Sequence, residues 1–303
     1  MDEKYMRRAI ELARKGEGHV NPNPLVGAVI VRDEEILAEG YHARYGDLHA
    51  ERSAFANLKT DATGAEMYVT LEPCCHYGKQ PPCTQAIIEH GIRKVYVGSD
   101  DPNALVAGKG IRQLQDAGIT VETHVLKEEC DALNDVFFHY ITTHTPYVVM
   151  KYAMTMDGKI ACHTGASKWV TGEEARVYVQ RMRNKYTGIM VGVQTVLADD
   201  PLLTCRIPEG RNPIRIICDS SLRTPLDSQI VRTAEEVETI LATVKEDPER
   251  IAAYEEKGVQ VLVTRQKDGR VDLADLMEKL GERKIDSILL EGGGTLNYSA
   301  LQA

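Results

Sequence analysis

The chain lacks the marks of several protein classes. It has no run of 18 apolar residues, so no segment is expected to span a membrane. Its opening, MDEKYMRRAIELARKG, is charged throughout and has no secretory apolar core. The apolar residues there (Tyr5, Met6, Ala9, Ile10, Leu12, Ala13) recur at helical spacing instead. There is no excess of basic residues: the net charge is −9. A sequence-wide footprint for nucleic acid is missing, so an anionic substrate would need local positive contacts. No low-complexity run or internal repeat occurs. Paired cysteines are also not the pattern, since the count is seven, an odd number. Without a secretory signal this points to a reducing cytoplasm. Clustered cysteines there are metal ligands or catalysts more often than disulfides.

What is present suffices for two domains in 303 residues. The first half alternates elements. A helix over about 3–16 leads through NPNP (21–24) to LVGAVIVRD and its hairpin partner EEILAEGYH. HAERSAFANL reads as a helix, AEMYVTLEP as a strand and CTQAIIEHG as a helix closed by Gly91. RKVYVGSD, GIRQLQDAG, ITVETHV and KEECDALNDVFFHYITT continue as strand, helix, strand and one long helix. This order implies a mostly parallel sheet covered by helices. Near residue 145 the pattern restarts, with a strand entering after Pro146. Thr171 and Glu174 read as a capping box for a helix running to about Lys185. Strands over 188–193, 214–218, 238–244, 259–264 and 285–291 follow, with helices near 248–257 and 273–282. The expectation is two α/β domains, 1–144 and 145–303.

The densest chemistry lies in TLEPCCHYGKQPPCTQA, residues 70–86. His49 opens one helix, Cys74 follows a strand, and Cys83 sits in the first turn of another helix. One imidazole and two thiolates form a common zinc set, and a catalytic zinc leaves its fourth position to water. Adjacent Cys74 and Cys75 point to opposite sides in extended chain, so both are not expected to reach one ion. A closed structural zinc, completed by Cys75 or His76, is the competing reading, and unmetallated core cysteines a third. Glu51, two positions after the histidine, suits an acid/base that moves the water proton to a leaving amine. H-x-E followed by P-C and a second cysteine matches the zinc nucleobase deaminase signature, except that the second cysteine comes nine residues later rather than three.

A second feature is SILLEGGGTLNYSAL (287–301), a strand, a triple-glycine turn and a helix start. Such a turn suits close backbone approach to phosphate. It is not G-x-G-x-x-G, so the Rossmann pattern fails.

Taken in order, NPNPLVGAVIV, HAE, TLEPCCHYGKQPPC, DPNALVAGKG, KYAMTMDGKIA, SKWVT, GVQTVLADDPLLTCR and LEGGG resemble the bifunctional riboflavin-biosynthesis deaminase–reductases over the whole chain. The long Cys–Cys insert is that family's own form. The resemblance implies a cytidine-deaminase-like three-layer domain followed by a dihydrofolate-reductase-like α/β domain. It implies Zn²⁺ on His49, Cys74 and Cys83, with Glu51 as acid/base and Cys75 as no ligand. The substrate implied is 2,5-diamino-6-(5-phosphoribosylamino)pyrimidin-4-one. Asn23 would meet the pyrimidine edge, although turn chemistry in NPNP explains it equally. His76, Lys79 and Asn103 would meet the phosphoribosyl tail. In the second half NADPH would reduce the ribosyl chain to ribityl. Met154, Trp169, Thr195, Asp199, Ser220, Gly292, Gly293 and Gly294 would face that cofactor. Lys151, Ser167, Arg183, Leu203, Arg206 and Glu291 would face the substrate, the two arginines at its phosphate. Trp169 as core and Asp199–Pro201 as a turn are the plainer readings. Arg211, Arg215 and Arg223 read as surface or ion-paired.

Family members continue past Ala303, so a reductase sheet truncated at its C-terminus, of doubtful activity, is expected. A homo-oligomer is implied as well, acting on a small molecule, not on nucleic acid or at a membrane. The runner-up is a zinc deaminase of another nucleobase or of tRNA with an inactive second domain. A zinc-stabilised binding protein is the third reading. The acidic balance opposes tRNA, and an unligated Glu51 has no use in a purely structural site.

Overall fold

The computed structural model describes residues 2–78, 80–165, 167 and 169–303. The chain divides into two compact units, residues 1–143 and 144–303.

The first unit contains α1 (Glu3–Arg14), β1 (Gly27–Arg32), β2 (Glu35–Tyr41), α2 (Ala50–Ala56), β3 (Glu66–Leu71) and α3 (Cys83–Glu89). It continues with β4 (Lys94–Ser99), α4 (Lys109–Asp116), β5 (Thr120–Glu122), α5 (Lys127–Asp131) and α6 (Asp135–Thr143). The sheet order is β2-β1-β3-β4-β5. β1 runs antiparallel to both neighbours, while β3, β4 and β5 are parallel. Alternation along each strand feeds two cores. Ala28, Ile30, Met67, Val69, Val95 and Val97 pack beneath α2, α3 and α4. Val29, Val31, Tyr68 and Tyr96 pack on the other face, under α1 and Cys130 and Leu133. Strands buried on both faces read as continuous apolar runs, which is why LVGAVIV and MYVTL carry no alternation.

One long helix was expected over 127–143, but it breaks between Asp131 and Asp135. The cause is Asn134. Its buried amide accepts from the Leu25 N–H at 2.7 Å and donates to the Leu25 carbonyl at 3.0 Å. A side chain that pairs both backbone groups of a distant residue ties the NPNP loop to the last helices.

The second unit contains β6 (Tyr147–Met150), α7 (Glu173–Lys185), β7 (Gly188–Gly192), α8 (Val193–Asp199), β8 (Ile214–Cys218), α9 (Gln229–Arg232) and β9 (Thr239–Thr243). After these come α10 (Pro248–Glu255), β10 (Val259–Val263), the hairpin β11 (Gln266–Lys267) and β12 (Arg270–Val271), α11 (Leu273–Glu282), β13 (Ser287–Gly292) and α12 (Gly294–Leu301). The six-stranded sheet has the order β10-β9-β8-β7-β13-β6 and is parallel throughout. Its faces are covered by α8 to α10 on one side and α11 and α12 on the other.

Three expectations are corrected here. The capping box at Thr171 does not form: Gly172 is the N-cap of α7 and no side chain caps it. The Asp199–Pro201 turn is the end of a helix, α8, whose C-cap Asp200 adopts a left-handed conformation. Arg215 is neither surface nor ion-paired. It is fully buried, and its guanidinium donates to Thr233 and Thr239 hydroxyls and to the carbonyls of Leu202, Ile230, Thr233 and Val237. Its five N–H donors match this ring of acceptors, which stands in for a counter-ion.

Candidate active sites

In the first unit the site grows from the ends of three elements. His49 is the N-cap of α2, with extended backbone. Glu51 follows in its first turn. Cys74 lies just past β3, and Cys83 is the first residue of α3. The donor atoms meet: His49 Nδ1 lies 3.5 Å from Cys74 Sγ and 3.4 Å from Cys83 Sγ. All three lie within 4.8 Å of one another. Edges of a tetrahedron around Zn²⁺ with one nitrogen and two sulfur ligands are about 3.6–3.8 Å, so the set fits that ion. The Cys83 N–H also donates to Cys74 Sγ at 3.4 Å. The Cys83 thiol's hydrogen bond, with that of His49, holds the Cys74 thiol well below its ordinary value. Cys75 turns away, its Sγ 3.7 Å from the Leu105 carbonyl. Among the described residues only three donors converge, leaving one coordination position to a small molecule.

Glu51 is buried, and that burial pushes its carboxyl above the ordinary range, with the Cys74 charge adding to it. It lines a cavity of about 330 Å³ together with His49, Cys74, Asn23, His76 and Asn103. Three of the four residues expected at the deaminase substrate, Asn23, His76 and Asn103, therefore line one cavity. Lys79 lies outside the described residues. His76 Nδ1 is buried with no partner among the described residues, so an acceptor or donor from a ligand would satisfy it.

Sequence reading missed several contributors. His42 is buried against this cavity. Its Nδ1 donates to the Leu48 carbonyl at 3.0 Å, which leaves Nε2 as acceptor for the Asn23 amide at 3.1 Å. Burial lowers its pKa, so the neutral ring persists. That fixes the Asn23 amide, with its nitrogen on His42 and its oxygen left for a ligand. Asp101 also lines the cavity, and burial raises its carboxyl to about 6. Phe137, Tyr140 and Ile141 of α6 supply an apolar wall. Only His42 carried a sequence signal, its position seven residues before His49 at the end of a strand.

Glu72 explains the spacing of the two motifs. Its buried carboxylate accepts from the N–H groups of Gly108 and Ile111 at 3.0 and 3.2 Å. It thereby holds the start of α4 against the Cys74 loop. Gly110 permits the approach, since an added Cβ would collide with the Pro73 carbonyl oxygen.

In the second unit a cavity of about 410 Å³ opens at the C-terminal ends of β7, β8 and β13, where parallel α/β sheets bind ligands. Ser220, Gly293 and Gly294 line it. Gly292 and Gly293 have φ of 136° and 89°, a conformation that favours glycine. Thr195 faces Gly293, since its Oγ1 would be 3.7 Å from an added Cβ there. Asp199 and Met154 are exposed and not in the lining, and Trp169 is 73% exposed, so it is no core residue. The Arg176 guanidinium covers the Trp169 ring at 4.6 Å. Lys151 is half-buried, its N–H on the Leu290 carbonyl. Ser167 and Arg206 are exposed and Leu203 is buried. Arg183 and Glu291 form a bidentate pair at 2.7 and 2.8 Å, and Arg183 also donates to the Thr204 carbonyl. The β13–β7 register slips between Leu290 and Gly292, a bulge that re-aims Glu291. Among the described residues no helix is long and apolar enough to cross a membrane.

Comparison with known proteins agrees with both halves. Residues 1–99 match the cytidine and deoxycytidylate deaminase zinc-binding region, and residues 146–303 match the RibD C-terminal domain. The riboflavin biosynthesis protein RibD of Actinobacillus pleuropneumoniae is 59% identical over 302 residues, covering 100% of this chain and 80% of that protein. That of Aquifex aeolicus is 45% identical, covering 97% and 81%. The diaminohydroxyphosphoribosylaminopyrimidine deaminase/5-amino-6-(5-phosphoribosylamino)uracil reductase of Thermotoga maritima superposes with a TM-score of 0.89 at 43% identity, covering 99% of this chain and 83% of that one. The chain belongs to the RibD family of riboflavin biosynthesis enzymes, in which a zinc-dependent deaminase domain precedes an NADPH-dependent reductase domain.

Proposed function

We propose that residues 1–144 deaminate 2,5-diamino-6-(5-phosphoribosylamino)pyrimidin-4-one and that residues 145–303 reduce the ribosyl chain of the product. The observation that carries the first step is the convergence of His49 Nδ1, Cys74 Sγ and Cys83 Sγ on one cavity wall beside buried Glu51. Zn²⁺ on those three ligands supplies a water of lowered pKa and a polarised site for attack. Glu51 accepts the water proton and delivers it to the departing amine, a role that suits a carboxyl biased by burial toward holding a proton. Asn23 presents its amide oxygen to a ring N–H, because His42 holds the amide nitrogen. His76, Asn103 and Lys79 take the phosphoribosyl tail.

In the second unit NADPH supplies the hydride. Ser220 and Gly292–Gly294 bind it, with Met154, Trp169, Thr195 and Asp199 as further contacts. Glu291 holds sugar hydroxyls, with its carboxylate fixed in place by the pair with Arg183. A paired Arg183 has little charge left for phosphate, which favours Arg206 as the main phosphate contact. Lys151 stands near the sugar carbonyl, with Ser167 and Leu203 completing the substrate side. The same reading places a homo-oligomer in the cytoplasm, a state that sedimentation of purified protein would test.

The experiment is incubation of the phosphoribosyl diaminopyrimidine with and without NADPH, followed by mass. Deamination adds one mass unit and reduction two more. No change without NADPH would sink the first assignment, and no second shift with NADPH would sink the other.

A further inference from the structure

The three metal ligands reach their cluster by different routes. His49 caps α2 and Cys74 follows β3, two elements rooted in the core of the first unit. Cys83 instead arrives after the stretch HYGKQPP (76–82), with two prolines immediately before it. Pro81 and Pro82 have no N–H to donate, so their backbone can be tied down only through its carbonyls. Pro82 is also the N-cap of α3, and no side chain caps that helix. The Thr84 N–H on the Cys74 carbonyl at 3.1 Å and the Cys83 N–H on Cys74 Sγ at 3.4 Å link the two cysteines to each other. A link from Cys83 to the helix of His49 needs something else.

Arg52 supplies it. Its Nε donates to the Pro81 carbonyl at 3.0 Å and its Nη2 to the Pro82 carbonyl at 2.9 Å. These N–H groups lie along one edge of the guanidinium, and the planar fork orients both peptides at once. Cys83 is the next residue. Arg52 itself sits in the first turn of α2, directly after Glu51. Glu51 lines the cavity and Arg52 does not. One helical turn thus follows a metal ligand with the proton carrier and with a fork on the segment that delivers another ligand. We infer that Arg52 is a positioning residue for the metal centre: its fork on Pro81 and Pro82 holds the Cys83 sulfur against His49 and Cys74, and so sets how firmly the three keep their ion. A lysine would reach one carbonyl at a time and would not orient the pair. The inference rests on the zinc set of the deaminase reading and not on the substrate assigned to it.

The test compares wild type, R52K and R52A as full chains. Zinc release to a chromogenic chelator is timed, Co²⁺-loaded protein is examined for its sulfur-to-cobalt charge-transfer band, and metal-free protein is melted. R52A should release zinc about tenfold faster or more, the range typical when a residue that orients a metal ligand is lost. Its cobalt band should weaken as the Cys83 sulfur drifts, and R52K should fall between R52A and wild type. The metal-free melting temperature should stay close to that of wild type, since Arg52 is half-buried and outside the core. In the loaded enzyme kcat should fall while KM holds, because Arg52 lines no part of the cavity. Zinc release and a cobalt band unchanged in R52A overturn the inference. An R52K that matches wild type overturns it too, since charge alone would then suffice. So does a metal-free R52A that melts far below wild type with R52K equally affected, which would make Arg52 a packing residue. A wild type that takes up no metal removes the zinc assignment and the inference together. Faster zinc release from R52A, in a chain that frees no ammonia, upholds the inference while removing the deaminase reading.

Discussion

Glu51 is where the deaminase chemistry can be tested most sharply. Glu51→Gln keeps the size and burial of the side chain but cannot shuttle a proton. It should retain about one zinc per chain and lose ammonia release by about 10²–10⁴-fold, by metal analysis and a coupled ammonia assay. Turnover close to wild type would assign the proton to another group. The ligand choice has its own control. Cys75→Ser should leave zinc content intact, because its sulfur faces the Leu105 carbonyl, whereas Cys83→Ser should lose the metal. Asp101 adds a pH signature. Its folded-state pKa of about 6 exceeds its ordinary 3.8, so the folded state holds a proton that the unfolded chain has released. Raising pH through that window should therefore cost stability, up to about 3 kcal/mol above pH 6. Asp101→Asn should flatten the dependence in urea unfolding at pH 4 and pH 7. A variant with the same slope as wild type would show that Asp101 titrates normally.

At the scale of elements, the sites are held by contacts between segments remote in sequence. Glu72 grips the start of α4, and Gly110 lets that helix touch Pro73. Gly110→Ala should force the Cys74 loop and α4 apart, at a cost of about 2 kcal/mol, and lower deamination together with zinc affinity. Unchanged metal affinity would mean that the loop keeps its geometry without that contact. In the second unit Arg215 performs the corresponding task. It saturates the carbonyls at the end of α9, the approach to β9 and Leu202. Arg215→Lys retains the charge but strands several acceptors, and should destabilise that unit by about 3 kcal/mol in chemical denaturation. The bulge that aims Glu291 at Arg183 belongs to the same class of device, a local irregularity at the end of an otherwise regular strand.

Across the whole molecule, two cavities sit in two compact units, one lined by residues between 22 and 141 and the other by residues between 192 and 299. No residue is shared. Removal of zinc by a chelator should therefore abolish ammonia release while leaving NADPH binding within about twofold of its starting value. Loss of nucleotide binding on chelation would reveal a coupling that the separate linings do not provide. The family membership follows from the whole chain rather than from either motif, since both halves match in order.

Much of this was readable beforehand. Local patterns pointed to the two α/β halves, to His49, Cys74 and Cys83 as one cluster of metal-ligating side chains, to the carboxylate beside them and to the glycine turn after β13. These are written in neighbouring residues, through spacing, periodicity and the few side chains able to ligate zinc. The tertiary structure alone decided the rest. The break at Asn134, the buried Arg215, the grip of Glu72 and the His42–Asn23 lock all join residues that no local pattern connects. Thr171 shows the same limit from the other side: a capping sequence was present, yet the helix began one residue later and used Gly172. Long-range packing selects among such local options, because a buried donor or acceptor must find its partner wherever the fold brings one.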